Sequence, residues 1–200
     1  MVLTMDKKTI QEERIKRYFI NAASEILRGE GLKCVNVRNI ADRAGYSYAT
    51  LYNYFKDVRD LIFECVKDFR DECIQTVKSE TESLPRGLEK IEGIAKAYIK
   101  YYIQYPGVFE LFFLEKTSDL ADKQPTIEMI YRLLDDLCNE EWQHCVDNKL
   151  FSNDEAELKK GELKFVVHGL LLFYLNRKQP SSFKEFFALS NIQLKNVLKV

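Results

Sequence analysis

Between Gly45 and Lys56 the chain reads Gly-Tyr-Ser-Tyr-Ala-Thr-Leu-Tyr-Asn-Tyr-Phe-Lys. Phenols, small hydroxyls and one amide are mixed there with a few apolar anchors. That set suits the reading of duplex DNA. The Asn53 amide matches the edge of adenine in a major groove, and the methyls of Ala49 and Thr50 match a thymine methyl. Tyr48 belongs to the same outer side. Tyr52 and Tyr54 can donate to phosphates, and Lys56 and Arg38 bring positive charge to the backbone; Arg38 suits a phosphate better than a base. Ser47 has the side chain that caps a helix start.

Three short helices are expected to hold these groups in place. Thr9-Ile-Gln-Glu12 fits a capping box that opens the first. Ile15, Phe19, Ala22, Ala23 and Ile26 then recur at helical spacing, and Gly29 and Gly31 close it. Asn36 is placed to cap the second, whose inner side is Val37, Ile40, Ala41 and Ala44. Gly45 supplies a turn without a Cβ penalty. Ser47 opens the third, expected to run to about Tyr54, with Leu51 and Phe55 turned back onto the other two. Tyr52, Tyr54 and Phe55 also fit a plain aromatic core. The preceding turn and Ser47 favour the helix-turn-helix reading, in which the second helix of the pair enters a groove.

The segment Ile40-Ala41-Asp42-Arg43-Ala44-Gly45-Tyr46-Ser47 followed by Thr50-Leu51-Tyr52-Asn53-Tyr54-Phe55 resembles the DNA-binding domain of the TetR family of bacterial transcriptional regulators. The resemblance runs from Ile15 to about Val66, roughly a quarter of the chain. It implies a homodimer on a palindromic double-stranded DNA operator, usually a repressor, released when a small molecule enters a C-terminal domain. Two positions depart from the family pattern. Tyr46 stands where a small aliphatic residue is usual. Val58 stands where the family carries a phosphate-binding Lys; Lys56 and Arg59 flank it and are the candidates to replace it.

The expected fold class is all-α. An N-terminal helix-turn-helix domain, 1–56, precedes a larger helical body, 57–200, that binds the effector and dimerises. A helix over 57–79, carrying Leu61, Ile62, Cys65, Val66, Phe69 and Cys73, connects them. Further helices are expected near 85–104, 106–115, 125–148, 153–176 and 182–198. Ser152-Asn-Asp-Glu155 and Ser182-Phe-Lys-Glu185 fit capping boxes at the last two starts, and Pro85, Pro106, Pro125 and Pro180 punctuate. Aromatics gather in this body. Tyr98, Tyr102, Phe109, Phe112, Phe113, Tyr131, Trp142 and His168 are candidate liners of a pocket for an apolar or aromatic effector; each also suits a filled core, and His168 suits a hydrogen-bonded core place. The stretch from Tyr105 to Phe113 resembles a segment of many TetR-family effector domains, and Val167-His168-Gly169 resembles a pattern of some subgroups. Asp135, Asp136, Glu140 and Glu141 read as a solvated helix face. Phe165, Leu172, Phe173, Phe183, Phe186, Phe187 and Leu194 give the last two helices apolar sides fit for a four-helix dimer interface, or for internal core. A dimer has a reason: two recognition helices must reach successive major grooves, about 34–36 Å apart.

Composition narrows the classes. The hydrophobic share of 46% and aromatic share of 12% are ample for a core, so wholesale disorder is excluded. The formal net charge is −1, with a small basic excess in residues 1–60 and a small acidic excess after them. Of the five cysteines none forms a CxxC pair; they read as small core hydrophobes in a reducing compartment, with redox sensing as the alternative. Two distant histidines offer no zinc spacing. No metal and no cofactor are expected. The N-terminus shows no apolar signal core, and the apolar stretch near Phe165–Leu175 is too short to span a bilayer, so a cytoplasmic protein without a membrane partner is expected. No Ser/His/Asp set, phosphate loop or HExxH appears, which weighs against catalysis. An all-α carrier or enzyme without a DNA role is the competing reading, and a protein-binding adaptor is a third.

Overall fold

The computed structural model describes residues 7–114 and 124–199, with only the backbone for 124–127. Expectations for Met1–Asp6, Glu115 and the Pro125 side chain lie outside the described residues. Helices and turns make up the described residues, with no strand among them, so the all-α expectation holds. The order is α1 (Lys7–Gly29), α2 (Val37–Ala44), α3 (Tyr48–Leu51), α4 (Val58–Thr81), α5 (Leu88–Gln104), α6 (Pro106–Phe113), α7 (Gln124–Tyr131), α8 (Leu133–Asp147), α9 (Asn153–Leu172) and α10 (Phe183–Val197).

Packing divides these into two compact units. One holds α1, α2, α3, α4 as far as Phe69, and α6; the other holds α4 from Arg70, α5, α8, α9 and α10. The first has a core of Phe19, Ala23, Ile26 and Leu27 from α1, Ile40 from α2, Leu51 from α3, and Leu61, Cys65 and Phe69 from α4, all out of solvent. Each large side chain so buried contributes roughly 1.5–3 kcal/mol. α6 joins this unit by lying directly on the end of α1. A Cβ on Gly107 would stand 2.0 Å from the Leu27 carbonyl oxygen, so only glycine permits the approach. Arg28 is held beside it, its guanidinium 5.0 Å from the centres of both the Phe69 and Tyr105 rings.

In the second unit α5 packs against α8, α9 and α10. Ile91, Tyr98, Tyr102, Leu133, Leu134, Cys138, Trp142, Leu163, Val167, Leu171 and Phe186 fill its core. The Ser152 capping box forms in both directions, and the Ser182 hydroxyl accepts from the Glu185 N–H.

Besides shifts of one to three residues at the ends of α4 and α5, four elements depart from expectation. α1 is already helical at Lys7, so Thr9 lies inside its first turn rather than capping it. α3 is regular only to Leu51, beyond which tighter turns carry the chain to Phe55. The helix expected over 125–148 is two, broken at Arg132. α9 gives way after Leu172 to a π-helical turn, Phe173–Arg177.

Candidate nucleic-acid interface

Short-range side-chain bonds shape the surface around α3. The Asn36 side chain accepts from the Asn39 N–H at 3.0 Å, and the Asn39 amide donates to the Cys34 carbonyl at 2.9 Å. Gly45 closes α2 in the left-handed region, φ +75°, a conformation that costs glycine nothing. Ser47 then opens α3: its Oγ accepts from the Thr50 N–H at 3.2 Å, and the two hydroxyls lie 2.8 Å apart. Leu51 and Phe55 are sunk into the core beneath.

What remains outside is the expected reading set. Tyr48 is 62% and Tyr52 52% exposed, and Arg38, Ser47, Ala49, Asn53 and Lys56 are exposed as well. Thr50 and Tyr54 are half-buried; the Tyr54 ring lies 6.3 Å from that of Phe19, so its phenol is shared between core and surface. Tyr46 fits because α1 takes up its bulk, with ring centres 5.6 Å from Phe19 and 6.1 Å from Tyr18.

The start of α4 bears on the missing family lysine. Asp57 Oδ1 accepts from the Asp60 N–H at 3.0 Å, and Asp60 returns by accepting from the Lys56 N–H at 3.2 Å. The Asp60 N–H, opposed slightly by burial and aided by Arg59, holds the Asp57 carboxyl below its ordinary value. Arg59 lies 3.3 Å from that carboxylate, whereas Lys56 is exposed, with its backbone N–H held by Asp60.

The aromatic candidates do not gather at one place. Phe109, Phe112 and Phe113 belong to the first unit, with ring centres 5.1 and 6.1 Å apart in sequence order of contact with Phe113. Tyr98, Tyr102, Tyr131, Trp142 and His168 belong to the second. His168 Nδ1 donates to the Lys164 carbonyl at 2.7 Å, so Nε2 accepts from the Tyr98 hydroxyl at 3.1 Å. Burial, against the Lys164 carbonyl, pushes the imidazole below its ordinary pKa. Burial likewise raises Tyr98 and Tyr102 well above theirs. Trp142 is buried against Phe151, whereas Tyr131 is exposed beneath the Lys164 ammonium. Cys65, Cys73, Cys138 and Cys145 are buried free thiols and Cys34 is partly exposed. Burial lifts Cys65 and Cys73 to about 12, a range in which a thiol is inert.

A cleft of about 680 Å³ lies elsewhere in the second unit, between the far half of α4, α5 and α8. Val77, Ile94 and Leu133 form its floor, and Lys78, Lys90 and Asp136 stand on its rim. Of these only Asp136 was singled out from the sequence, as part of a solvated face, since the lining comes from three distant stretches. Glu141 also lines it and corrects the expected solvated face. It is 4% exposed, accepts from the Gly87 N–H at 2.8 Å, and lies 3.3 Å from Arg86 and 3.7 Å from Lys90. Burial pushes its carboxyl up, but the Gly87 N–H, Arg86 and Lys90 outweigh that and hold it low. Asp135 is paired with Lys164.

α9 and α10 carry an apolar surface. Phe165 is 74% and Phe173 59% exposed, and Leu172 and Phe183 are exposed too, with Phe187 half-buried. A groove of about 550 Å³ runs between Phe165, Leu170, Phe173 and Leu189. Phe186 and Leu194 are a correction to the expected interface: both are fully buried within the unit, Phe186 stacking on Tyr174 at 4.2 Å.

Comparison with known proteins matches residues 19–65 to the family model for bacterial regulatory proteins of the tetR family. The HTH-type transcriptional repressor KstR2 of Mycolicibacterium smegmatis is 31% identical over 78 residues, 39% of this chain and 38% of that protein. The HTH-type transcriptional regulator HbdR of Aromatoleum sp. is 28% identical over 93 residues, 46% of this chain and 40% of that one. The matched stretch thus spans less than half the length of these curated relatives. Over the whole fold, the transcriptional regulator FadR from Bacillus subtilis, solved with stearoyl-CoA, is similar at a TM-score of 0.73 and 16% identity, covering 92% of this chain and 97% of that one. Residues 19–65, which include α2 and α3, thus match the tetR-family model, and the chain as a whole shares its helical architecture with the Bacillus subtilis regulator.

Proposed function

We propose that this protein is a cytoplasmic repressor that binds a palindromic operator as a homodimer and lets go when a small, largely apolar effector enters the second unit. One observation carries the DNA half: Leu51 and Phe55 anchor a segment whose other side shows Tyr48, Ala49, Tyr52 and Asn53 to solvent. On this reading Asn53, Ala49 and Thr50 meet base edges. Tyr48, Tyr52, Tyr54, Arg38 and Lys56 meet the backbone, Ser47 holds the helix start, and Lys56 takes the place of the family lysine because Arg59 is engaged by Asp57.

The exposed phenylalanines of α9 and α10 form the twofold interface, an isologous contact that fixes the spacing of two reading heads. The effector site is the cleft of α4, α5 and α8. Its apolar floor takes the body of the ligand and Lys78 and Lys90 take a polar end, the same division of character as the stearoyl-CoA held by the Bacillus subtilis neighbour. Effector binding acts through α4, whose residues are shared between the two units, by favouring one of two arrangements according to its affinity for each.

The test is retention of a promoter-proximal palindrome by the purified protein across a salt series. Binding that weakens with salt, and falls about 100-fold in Tyr52→Ala/Asn53→Ala, is the expected outcome, since each lost contact is worth about 1–3 kcal/mol. Undiminished binding by that double variant overturns the assignment of the surface.

A further inference from the structure

We infer that the reading segment recognises A·T pairs at the centre of each half-site, with adenine taken by Asn53 and thymine methyls by Ala49 and Thr50. This rests on the DNA reading above and narrows it to a class of sequence. From Ala44 to Phe55 no side chain carries a charge. Guanine is read most often by the two-pronged donation of an Arg or Lys to O6 and N7, and this segment has neither.

The nearby cations lie outside the segment, two of them paired with carboxylates and two assigned above to the phosphate backbone. Arg43 is bound to Glu30 at 2.6 Å and Arg59 to Asp57. Arg38 is the second residue of α2, on a different helix from the segment, and Lys56 follows the segment's last anchor. The neutral groups divide by what they have left to offer. Asn36 and Asn39 spend their side chains on local backbone. Asn53 is exposed, with no side-chain hydrogen bond among the described residues. Its amide keeps both a donor and an acceptor, the pair that adenine N7 and N6 require. Thr50 shares its hydroxyl with Ser47, and its methyl is the group suited to a thymine methyl. Ala49 has only a methyl. Two methyls and one free amide match thymine and adenine, and the segment holds no Arg or Lys to grip guanine at O6 and N7.

The experiment uses the full chain. Duplexes selected from random DNA are expected to share A·T pairs at the centre of both half-sites. In the selected duplex, 7-deazaadenine at the read position is expected to cost about tenfold in affinity, the scale of one lost base contact. Asn53→Ala is expected to lose the same factor and to be indifferent to the modified base. Asn53 is exposed, so that change leaves the fold intact. Uracil in place of thymine is expected to weaken binding several-fold, and Ala49→Gly to shrink that difference. A selected site whose centre is G·C, or an Asn53→Ala variant as sensitive to 7-deazaadenine as the parent, overturns the inference while leaving DNA binding in place. Enrichment of no duplex at all overturns both.

Discussion

In the first unit, the side-chain bonds that shape the candidate surface join residues three to five apart: Asn36 to Asn39, Ser47 to Thr50, Asp57 to Asp60, Lys56 to Asp60 and Cys34 to Asn39. In the second unit the corresponding bonds reach across the chain. Glu141 meets Gly87 from 54 residues away, and Tyr98 meets His168 from 70. The first kind is written in consecutive letters and needs only local backbone geometry to form. The second exists only after α5, α8 and α9 have come together. Function that depends on a short rigid edge can therefore be seen in a motif, whereas function that depends on a cleft is assembled from places that no motif connects.

The contrast can be pressed by substitution. The largest effect is expected at the apolar surface of α9 and α10. Phe165→Glu combined with Phe173→Glu removes two rings from each side of the proposed twofold contact. At roughly 1.5–3 kcal/mol per ring, the loss is on the order of 6 kcal/mol or more. Sedimentation is expected to show a monomer with unchanged helical signal, and a persisting dimer would move the interface elsewhere.

Glu141→Ala comes next. It leaves the Gly87 N–H without its partner and Arg86 and Lys90 without their carboxylate, at a cost of about 2–3 kcal/mol; Arg86 is half exposed, so the figure stays below that of a fully buried pair. Chemical denaturation measures it. The same carboxyl gives a pH signature. Its folded pKa is depressed, so its stabilisation is complete above the ordinary carboxylate range and drains away as pH falls through that range toward the lower folded value. The parent is expected to lose more stability on acidification than Glu141→Gln.

Gly107→Ala tests packing inside the first unit. The added methyl meets the Leu27 carbonyl, and overpacking of this kind costs about 1–3 kcal/mol; thermal unfolding reads it. Ser47→Ala is the smallest, about 1 kcal/mol for a lost helix cap. A larger loss of stability in Ser47→Ala than in Glu141→Ala would erase the distinction between neighbouring and far-reaching bonds.

Much of the first unit was legible in advance. Asn36, Gly45 and Ser47 announce the ends of α2 and α3 because each acts on its own neighbours, and the inner residues of α1 recur at a helical period. The limit of α3 was not legible: Tyr52 to Phe55 keep helical spacing while the backbone tightens. In the second unit the helices were visible and their pairings were not. Glu141 sits among acidic residues in a pattern typical of a wet surface, and only the approach of Arg86 and Gly87 turns it inward. Phe186 and Phe183 share one helix and one residue type, yet one is core and the other open. The cleft was hidden because Val77, Ile94 and Leu133 each look like ordinary core.

Gly107 also decides how the protein can be cut and rejoined. α6 is bound to α1 by an approach that admits no side chain, although α4 and α5 intervene in the sequence. The first unit, which carries the proposed reading head, is therefore discontinuous: the chain leaves it after Phe69 and re-enters it at Tyr105. A chimera that grafts this reading head onto a foreign sensor with a single splice near residue 56 abandons α6 and exposes the bed it occupied. A graft that keeps the body whole needs a second splice beyond Leu114.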